Sequence, residues 1–171
     1  MIATRQFFQT NSLVRIASVT LAAMAISFTA PSVVHAQLVD TKALTAEAVK
    51  AVLVAAEAKA KQNGWNVSIA VVDPNGDLVG FLKLDGASVG TVQISQGKAR
   101  TAARFGRPTK VFADRVAKDT LNMLSVEGLY TIQGGVPIII DGRVIGAVGV
   151  SGASSAQDEE LAMAGIAAIK K

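Results

Sequence analysis

The sequence predicts an α+β fold with helices on the faces of a central five-stranded antiparallel sheet. Two hairpin signals carry this prediction: Pro-Asn-Gly at 74–76 and Asp-Gly at 141–142 each lie between two apolar runs. A hairpin pairs its strands antiparallel, so a fold of alternating parallel strands and helices is excluded. Segments with helical spacing precede, separate and follow the hairpins. Neither an internal repeat nor a linker interrupts them, which predicts one domain over residues 37–171.

The first helix is predicted between Thr45, a residue type that caps helices, and Gly64, a residue type that ends them. The apolar period then changes to two across residues 65–73, which predicts a strand. The turn at 74–76 reverses the chain into a second strand with the sequence LVGFLKL. These segments form the first predicted hairpin and the helix that covers it.

Two helical stretches are predicted between the hairpins. The first begins near Thr91 and ends at the segment RPTK. The second is VFADRVAKDTLNML, in which Phe112, Val116 and Met123 recur on one face at spacings of four and seven. We interpret Met123, like Met163 in the last helix, as a residue that fills the core.

The second hairpin is predicted from strands at residues 136–140 and 144–150, and the region around Tyr130 supplies a short fifth strand. A C-terminal helix follows. Ser154 or Ser155 caps it, and the acidic residues 158–160 suit the positive end of the helix dipole.

Residues 1–36 have the features of a secretory signal peptide. Arg5 and Arg15 make the start basic, and an uncharged apolar run covers residues 16–30, shorter than the roughly 20 residues that span a bilayer. Val34 and Ala36 are the small residues expected just before a signal-peptidase cut. We predict cleavage after Ala36, a periplasmic or secreted location, and no membrane span in the cleaved chain. A membrane anchor or a buried N-terminal helix is the alternative interpretation.

Cleavage would remove His35, the only histidine of a chain that has no cysteine. The predicted mature chain therefore cannot build Ser-His-Asp or Cys-His catalytic sites, His/Cys zinc sites, or histidine and thiolate haem ligation. Cleavage also removes two arginines and no acidic residue, so the formal charge falls from +4 to +2. Because no dense basic stretch remains, a nucleic-acid partner is not expected.

Acidic residues at the start of the last helix are one candidate site. Asp158, Glu159 and Glu160 offer oxygen ligands to a metal. Consecutive carboxylates on a helix point in different directions, however, so a solvated helix start is the simpler interpretation. For the segment GVSGASSAQDEE, both a capping role and a ligand-facing loop at the helix start remain open.

Basic and aromatic residues are the other candidates. Lys98, Arg100 and Arg104 offer positive charge to carboxylates. Arg100 and Arg104 share one helical face, whereas Lys98 points elsewhere, and a solvent-exposed basic face is the alternative. Tyr130, the only tyrosine, is a haem ligand by residue type. Its alternative role is a core residue with its hydroxyl at the edge of the core.

Three segments together resemble the GlcG/HbpS family of haem-binding-protein-like (DUF336) domains. They are AVVDPNGDLVGFLKLDGA, KARTAARFGRPT and GGVPIIIDGRVIGAVGVSGASSAQDEELAMAG, and the resemblance covers roughly residues 44–169. It implies a profilin-like or roadblock-like α/β sandwich, homo-oligomers built from dimers, and binding of haem.

The resemblance also implies a small-molecule pocket near the positions that match the family. These are Lys98 and Thr101 of KARTA, Gly134, Gly135 and Pro137 of GGVP, and Ser151, Gly152, Asp158 and Glu159 of the last motif. Some family members use a histidine ligand, which the predicted mature chain lacks. Haem would then take an oxygen ligand from Thr101 or Tyr130, a methionine, or a hydrophobic site at a subunit interface.

The leading hypothesis is an exported haem- or tetrapyrrole-binding protein without turnover, acting as a carrier, scavenger or sensor accessory. The second is an enzyme for a small organic acid, with Lys98 as the basic group and Asp158 or Glu159 as the acid/base. The third is a structural homo-oligomer whose segment VSGASSAQDEE packs subunits together.

Overall fold

A four-stranded antiparallel sheet lies at the centre of residues 41–169, the part of the chain that the computed structural model describes. The predicted signal peptide, residues 1–36, lies outside the described residues. The strands are β1 (Ser68–Val72), β2 (Leu78–Lys83), β3 (Gly135–Ile140) and β4 (Arg143–Ser151). Their spatial order is β2-β1-β4-β3, with every neighbouring pair antiparallel. Both predicted hairpins are therefore confirmed, as β1–β2 and β3–β4.

Helices cover both faces of this sheet. They are α1 (Ala46–Asn63), α2 (Thr91–Phe105), α3 (Lys110–Ala117) and α4 (Ser155–Ala167). Helices α1 and α4 pack together on the face that carries Ile69, Val71 and Val148, and α2 packs on the face that carries Ala70 and Ala147. All five residues of β1 are buried because this central strand is covered from both sides. The predicted α/β sandwich is confirmed.

The predicted caps define the ends of two helices. The Thr45 hydroxyl accepts a hydrogen bond from the Ala48 N–H at 3.1 Å, and Gly64 ends α1 in the left-handed conformation with φ 69°. At α4, Ser154 accepts from the Gln157 N–H while the Gln157 side chain accepts from the Ser154 N–H, which forms a capping box. Of the two candidate caps for α4, Ser154 is the one used.

Three expectations from the sequence are wrong. The described residues contain no strand near Tyr130, because the Tyr130 N–H donates to the side chain of Thr101 instead of to a neighbouring strand. The helix predicted to run through Met123 ends at Ala117, because Asp119 has φ 62° and the chain continues as a short 3-10 helix, Leu121–Ser125. Met163 is 51% exposed and does not fill the core.

Glycines let α2 approach the sheet closely. A Cβ added at Gly149 of β4 would collide with the Ser95 carbonyl oxygen, and one at Gly135 of β3 with the Lys98 carbonyl oxygen. Both obstacles are backbone atoms of α2, which cannot rotate away. The absence of side chains at these two positions therefore sets the distance between helix and sheet, and with it the position of every residue on α2.

We expect Gly149→Ala to destabilise the domain by about 1–3 kcal/mol, because the added methyl group pushes α2 off the sheet. Urea unfolding followed by circular dichroism measures this change. Gly90→Ala is the matched control, since a Cβ there meets no atom within 4 Å. A control variant as unstable as Gly149→Ala would contradict the packing explanation.

Candidate functional site

A buried ion pair joins the two helical layers. Lys98 of α2 donates from Nζ to Asp158 Oδ2 at 2.8 Å and to the Val150 carbonyl oxygen at 2.9 Å. Lys98 is 1% exposed and Asp158 is 2% exposed. Because α2 and α4 lie on opposite faces of the sheet, the pair connects the two layers past the end of β4. The structure thus brings together two residues that are 60 positions apart in the sequence.

Local geometry holds the Asp158 carboxylate inward. Its Oδ1 accepts a hydrogen bond from the Ala153 N–H at 3.0 Å, while Ser154 performs the capping of α4. Burial raises the pKa of Asp158, and the hydrogen bond and positive charge of Lys98 act in the opposite direction. The carboxylate therefore depends on Lys98 to remain charged in its buried position.

Two consecutive glycines leave the space that this pair occupies. Gly134 has φ 125°, and a Cβ there would lie 2.8 Å from Lys98 Nζ and 2.8 Å from Asp158 Cβ. Its carbonyl oxygen accepts from the Val150 N–H at 2.9 Å. Gly135 exchanges two hydrogen bonds with the buried Thr109, whose hydroxyl accepts from the Gly135 N–H at 2.9 Å. The GGVP segment is thus a backbone frame around the ion pair.

A second cluster ties the loop after α3 to α2. The buried Thr101 hydroxyl donates to the Gly128 carbonyl oxygen at 3.2 Å and accepts from the Tyr130 N–H at 2.9 Å. The ring of the half-buried Tyr130 packs on Gly97, where an added Cβ would collide with it. Thr101 and Tyr130, both predicted from the sequence, therefore meet at one place on α2, while the ion pair lies at another.

The remaining predicted site residues have different surroundings. Pro137 and Ser151 are buried in strands, and a Cβ at Gly152 would collide with the Asn66 carbonyl oxygen. These three residues pack within the chain. Glu159 is half-buried, and its Oε2 has no hydrogen-bond partner among residues 41–169.

No metal cluster forms from the acidic residues of α4. Asp158 is engaged with Lys98, and Glu160 pairs with Lys59 at 3.0 Å. Residues 41–169 contain no group of three or more acidic, histidine or cysteine side chains placed to hold a metal ion. The weak metal candidates Asp158 and Glu159 thus lack companion ligands in the described part of the chain.

Two contributors were missed at the level of sequence. Thr109 follows Pro108 inside a segment that was already singled out for its family resemblance, and a buried partner of that kind is visible only in three dimensions. Gly97 lies in the middle of α2, where glycine disfavours a helix. That local conflict was the available signal that something packs against the helix there.

An exposed apolar surface lies beside Tyr130. It consists of Leu121, Leu124, Val126 and Ile132, which we call the apolar segment, and their exposures run from 41% to 59%. The 3-10 helix that carries Leu121 and Leu124 packs on α3 and has no buried residue. The loop between Val126 and Ile132 is held to α2 by the Thr101 hydrogen bonds. Several exposed large apolar side chains within one short stretch of chain indicate a binding surface.

None of the helices within residues 41–169 has both the length and the apolar character needed to cross a bilayer.

Comparison with known proteins identifies relatives over most of the chain. A family model described as "Haem degrading protein HbpS-like" matches residues 44–167. Protein GlcG of Escherichia coli (strain K12) is 39% identical over 108 residues, which are 63% of this chain and 81% of that protein.

Solved structures share the fold. A double mutant of HbpS from Streptomyces reticuli superposes with a TM-score of 0.73 at 33% identity, covering 80% of this chain and 94% of that chain. A complex of PduOC with heme superposes with a TM-score of 0.70 at 28% identity, covering 75% of this chain and 96% of that chain.

We expect Asp158→Asn to destabilise the domain by about 3–5 kcal/mol, because it leaves the buried Lys98 ammonium without a counter-ion. Lys98→Met should reduce the free energy of unfolding less at low pH than at high pH, since the raised pKa lets Asp158 take up a proton and become neutral. Its deficit relative to wild type should therefore be largest at pH 8 and shrink towards the ordinary carboxyl pKa of 3.8. Urea unfolding between those pH values measures both changes.

The double variant Lys98→Met with Asp158→Asn is the control for this pair. It buries no charge, so its loss should be smaller than the sum of the two single losses and should lack the extra pH dependence. Additive losses would show that the two side chains act independently.

Proposed function

The chain belongs to the HbpS-like family, and from that premise we propose that it binds haem or a closely related tetrapyrrole at the apolar segment. The observation that carries the proposal is the group of exposed apolar side chains within residues 121–132. Thr101, which lies in a segment that resembles the family, forms hydrogen bonds with Gly128 and Tyr130 of the same stretch. A structural relative in complex with heme supports the ligand class.

The chemistry of the apolar segment fits a flat, largely apolar ring. Leu121 and Leu124 are 58% and 59% exposed, so their removal from water by a ligand would be favourable. Arg115 and Lys118 are exposed at the end of α3, immediately before these leucines, and suit the carboxylates of haem. Asp119 is also exposed in this part of the chain and would oppose them.

Tyr130 is the better of the two oxygen ligands suggested by the sequence. The Thr101 hydroxyl already donates one hydrogen bond and accepts another. The Tyr130 hydroxyl has no hydrogen-bond partner among residues 41–169, and tyrosine is an established type of haem ligand. Met123, half-buried in the same 3-10 helix as the leucines, is the candidate methionine. Haem would supply the iron to which one of these side chains binds.

Turnover of haem is a second candidate function, favoured by the description of the family. The acid/base residues of the enzymatic hypothesis are poorly placed for it. Lys98 and Asp158 are buried and paired, so contact with a substrate would require the pair to open. Glu159 is half-buried, and its carboxylate oxygen Oε2 is buried without a hydrogen-bond partner among residues 41–169. Binding without turnover is therefore the function that the geometry supports better.

The homo-oligomer hypothesis assigned the segment VSGASSAQDEE to subunit packing. Within residues 41–169, Ser151, Gly152 and Asp158 of this segment pack against their own chain. We propose that any assembly uses other surfaces, and the mass of the protein in solution should be measured together with haem binding.

We expect titration of the chain that begins at Gln37, which lacks His35, to give a saturable shift of the Soret band with haem. Leu124→Asp should weaken binding by about tenfold or more, since a charge would enter the apolar surface. Tyr130→Phe should change the position of the Soret band while the fold, followed by circular dichroism, stays intact. Thr101→Ala tests the other oxygen ligand.

Val89→Asp is the matched control, because Val89 is 86% exposed outside the apolar segment. The proposed site is wrong if this variant loses as much affinity as Leu124→Asp. An unchanged Soret position in Tyr130→Phe removes Tyr130 as the iron ligand. A Soret band that decays with added peroxide in wild type, faster than in free haem, would favour turnover instead.

We also propose that the protein is exported and acts as a carrier, scavenger or sensor accessory outside the cytoplasm. The basic start, the apolar run at 16–30 and the small residues before position 37 support export. After expression of the full chain in a bacterial host, the exported fraction should contain a protein that begins at Gln37. Ala36→Arg should retain the precursor mass, whereas Ala58→Arg on the exposed side of α1 should not. N-terminal sequencing and mass spectrometry decide this, and a precursor that stays intact in wild type would count against export.

A further inference from the structure

Arg100 and Arg104 are the two charged residues of α2 that the proposed function does not use. They lie one helical turn apart on α2, and both reach the turn between β1 and β2. Arg100 Nε donates to the Gly76 carbonyl oxygen at 3.2 Å, and Arg104 Nε donates to the preceding carbonyl oxygen, that of Asn75, at 3.1 Å. Two guanidinium groups are therefore held side by side on one turn.

The turn itself is firmly built. Asp73 Oδ1 accepts hydrogen bonds from the Asn75 and Asp77 N–H groups at 2.8 and 2.9 Å, and the backbone of Asp73 pairs with that of Asp77. Gly76 has φ 92°, and a Cβ there would lie 3.1 Å from Arg104 Nε and 3.3 Å from Arg100 Cγ. A glycine at this position lets both arginine side chains lie across the turn. The turn thus orients each guanidinium through one Nε hydrogen bond.

Neither arginine forms an ion pair within residues 41–169, although the turn that they contact also carries the carboxylates of Asp73 and Asp77. Five lysines of the described chain form salt bridges, whereas neither Arg100 nor Arg104 pairs with a carboxylate of residues 41–169. Arg100 makes one more bond, from Nη2 to Gln96 Oε1 at 3.3 Å. The other Nη N–H groups of both side chains have no partner within the described residues. A guanidinium has five N–H donors in a rigid fork that matches carboxylate and phosphate oxygens.

We infer that Arg100 and Arg104 form a binding site for a small oxyanion that carries at least two negative charges. The Nε atoms serve the turn, and the Nη atoms of both groups bind the oxygens of one anion. The Nε hydrogen bonds to the turn orient the Nη donors without occupying them, which lowers the entropy lost when an anion binds. This inference does not depend on haem binding.

The test is calorimetric titration of the full chain with inorganic phosphate at low ionic strength, followed by succinate. We expect saturable binding of both, and a rise of Kd by about tenfold or more in Arg100→Gln with Arg104→Gln. Arg100→Lys keeps the charge and loses the fork, so it should also bind more weakly than wild type. Arg107→Gln, which removes the same charge from an exposed position just beyond α2, should stay within about twofold of wild type.

Three results would overturn the inference. One is the absence of saturable phosphate and succinate binding to wild type, and another is an equal loss in Arg107→Gln, which would indicate general attraction by net charge. The third concerns haem. If saturating phosphate and the double substitution weaken haem binding by the same factor, the arginines bind the haem carboxylates and no separate anion site exists. The single variant Arg104→Gln, at an exposed side chain, repeats the test should the double variant fold poorly. The phosphate titration contains no haem, so it tests the anion site even if the protein does not bind haem.

Discussion

The hydrogen-bonded pair of Lys98 and Asp158 is the interaction on which the arrangement of the domain depends. Burial of a charged side chain without a partner is strongly unfavourable, so each of these two residues can be buried only when it is paired with the other. Their ion pair joins α2 to the start of α4 past the end of β4. Gly134 leaves room for both side chains, and the Val150 carbonyl accepts a further hydrogen bond from Lys98.

Helix α2 connects this interior pair to the surface. Its inner side packs on Gly149 and Gly135, and the resulting close approach fixes the helix against the sheet. From that position Thr101 holds the loop that bears Tyr130, and Arg100 and Arg104 reach the β1–β2 turn. One helix therefore positions the proposed haem surface and the inferred anion site, although neither lies in the buried core. A displacement of α2 would alter both together.

The local signals in the sequence account for most of the elements. Thr45, Gly64 and Ser154 define helix ends through their own side chains or backbone, so nearby residues suffice to predict them. The predictions of a fifth strand and of a helix through Met123 were wrong for a different reason. The backbone at Tyr130 is bonded to Thr101, which is distant in sequence, and Asp119 adopts a positive φ that local periodicity does not reveal.

Residue types and short-range spacing were enough to predict the antiparallel hairpins, both ends of α1, the cap of α4 and the family. The composition likewise shows that the chain has no cysteine and no histidine beyond His35. Which candidate residues contact one another depends on the packing of segments that are distant in the sequence. Lys98 and Arg100 are two positions apart in the sequence, yet one is buried against Asp158 and the other lies on the outer turn. Side chains two positions apart on a helix point in different directions, and the residues that each one contacts come from distant segments of the chain.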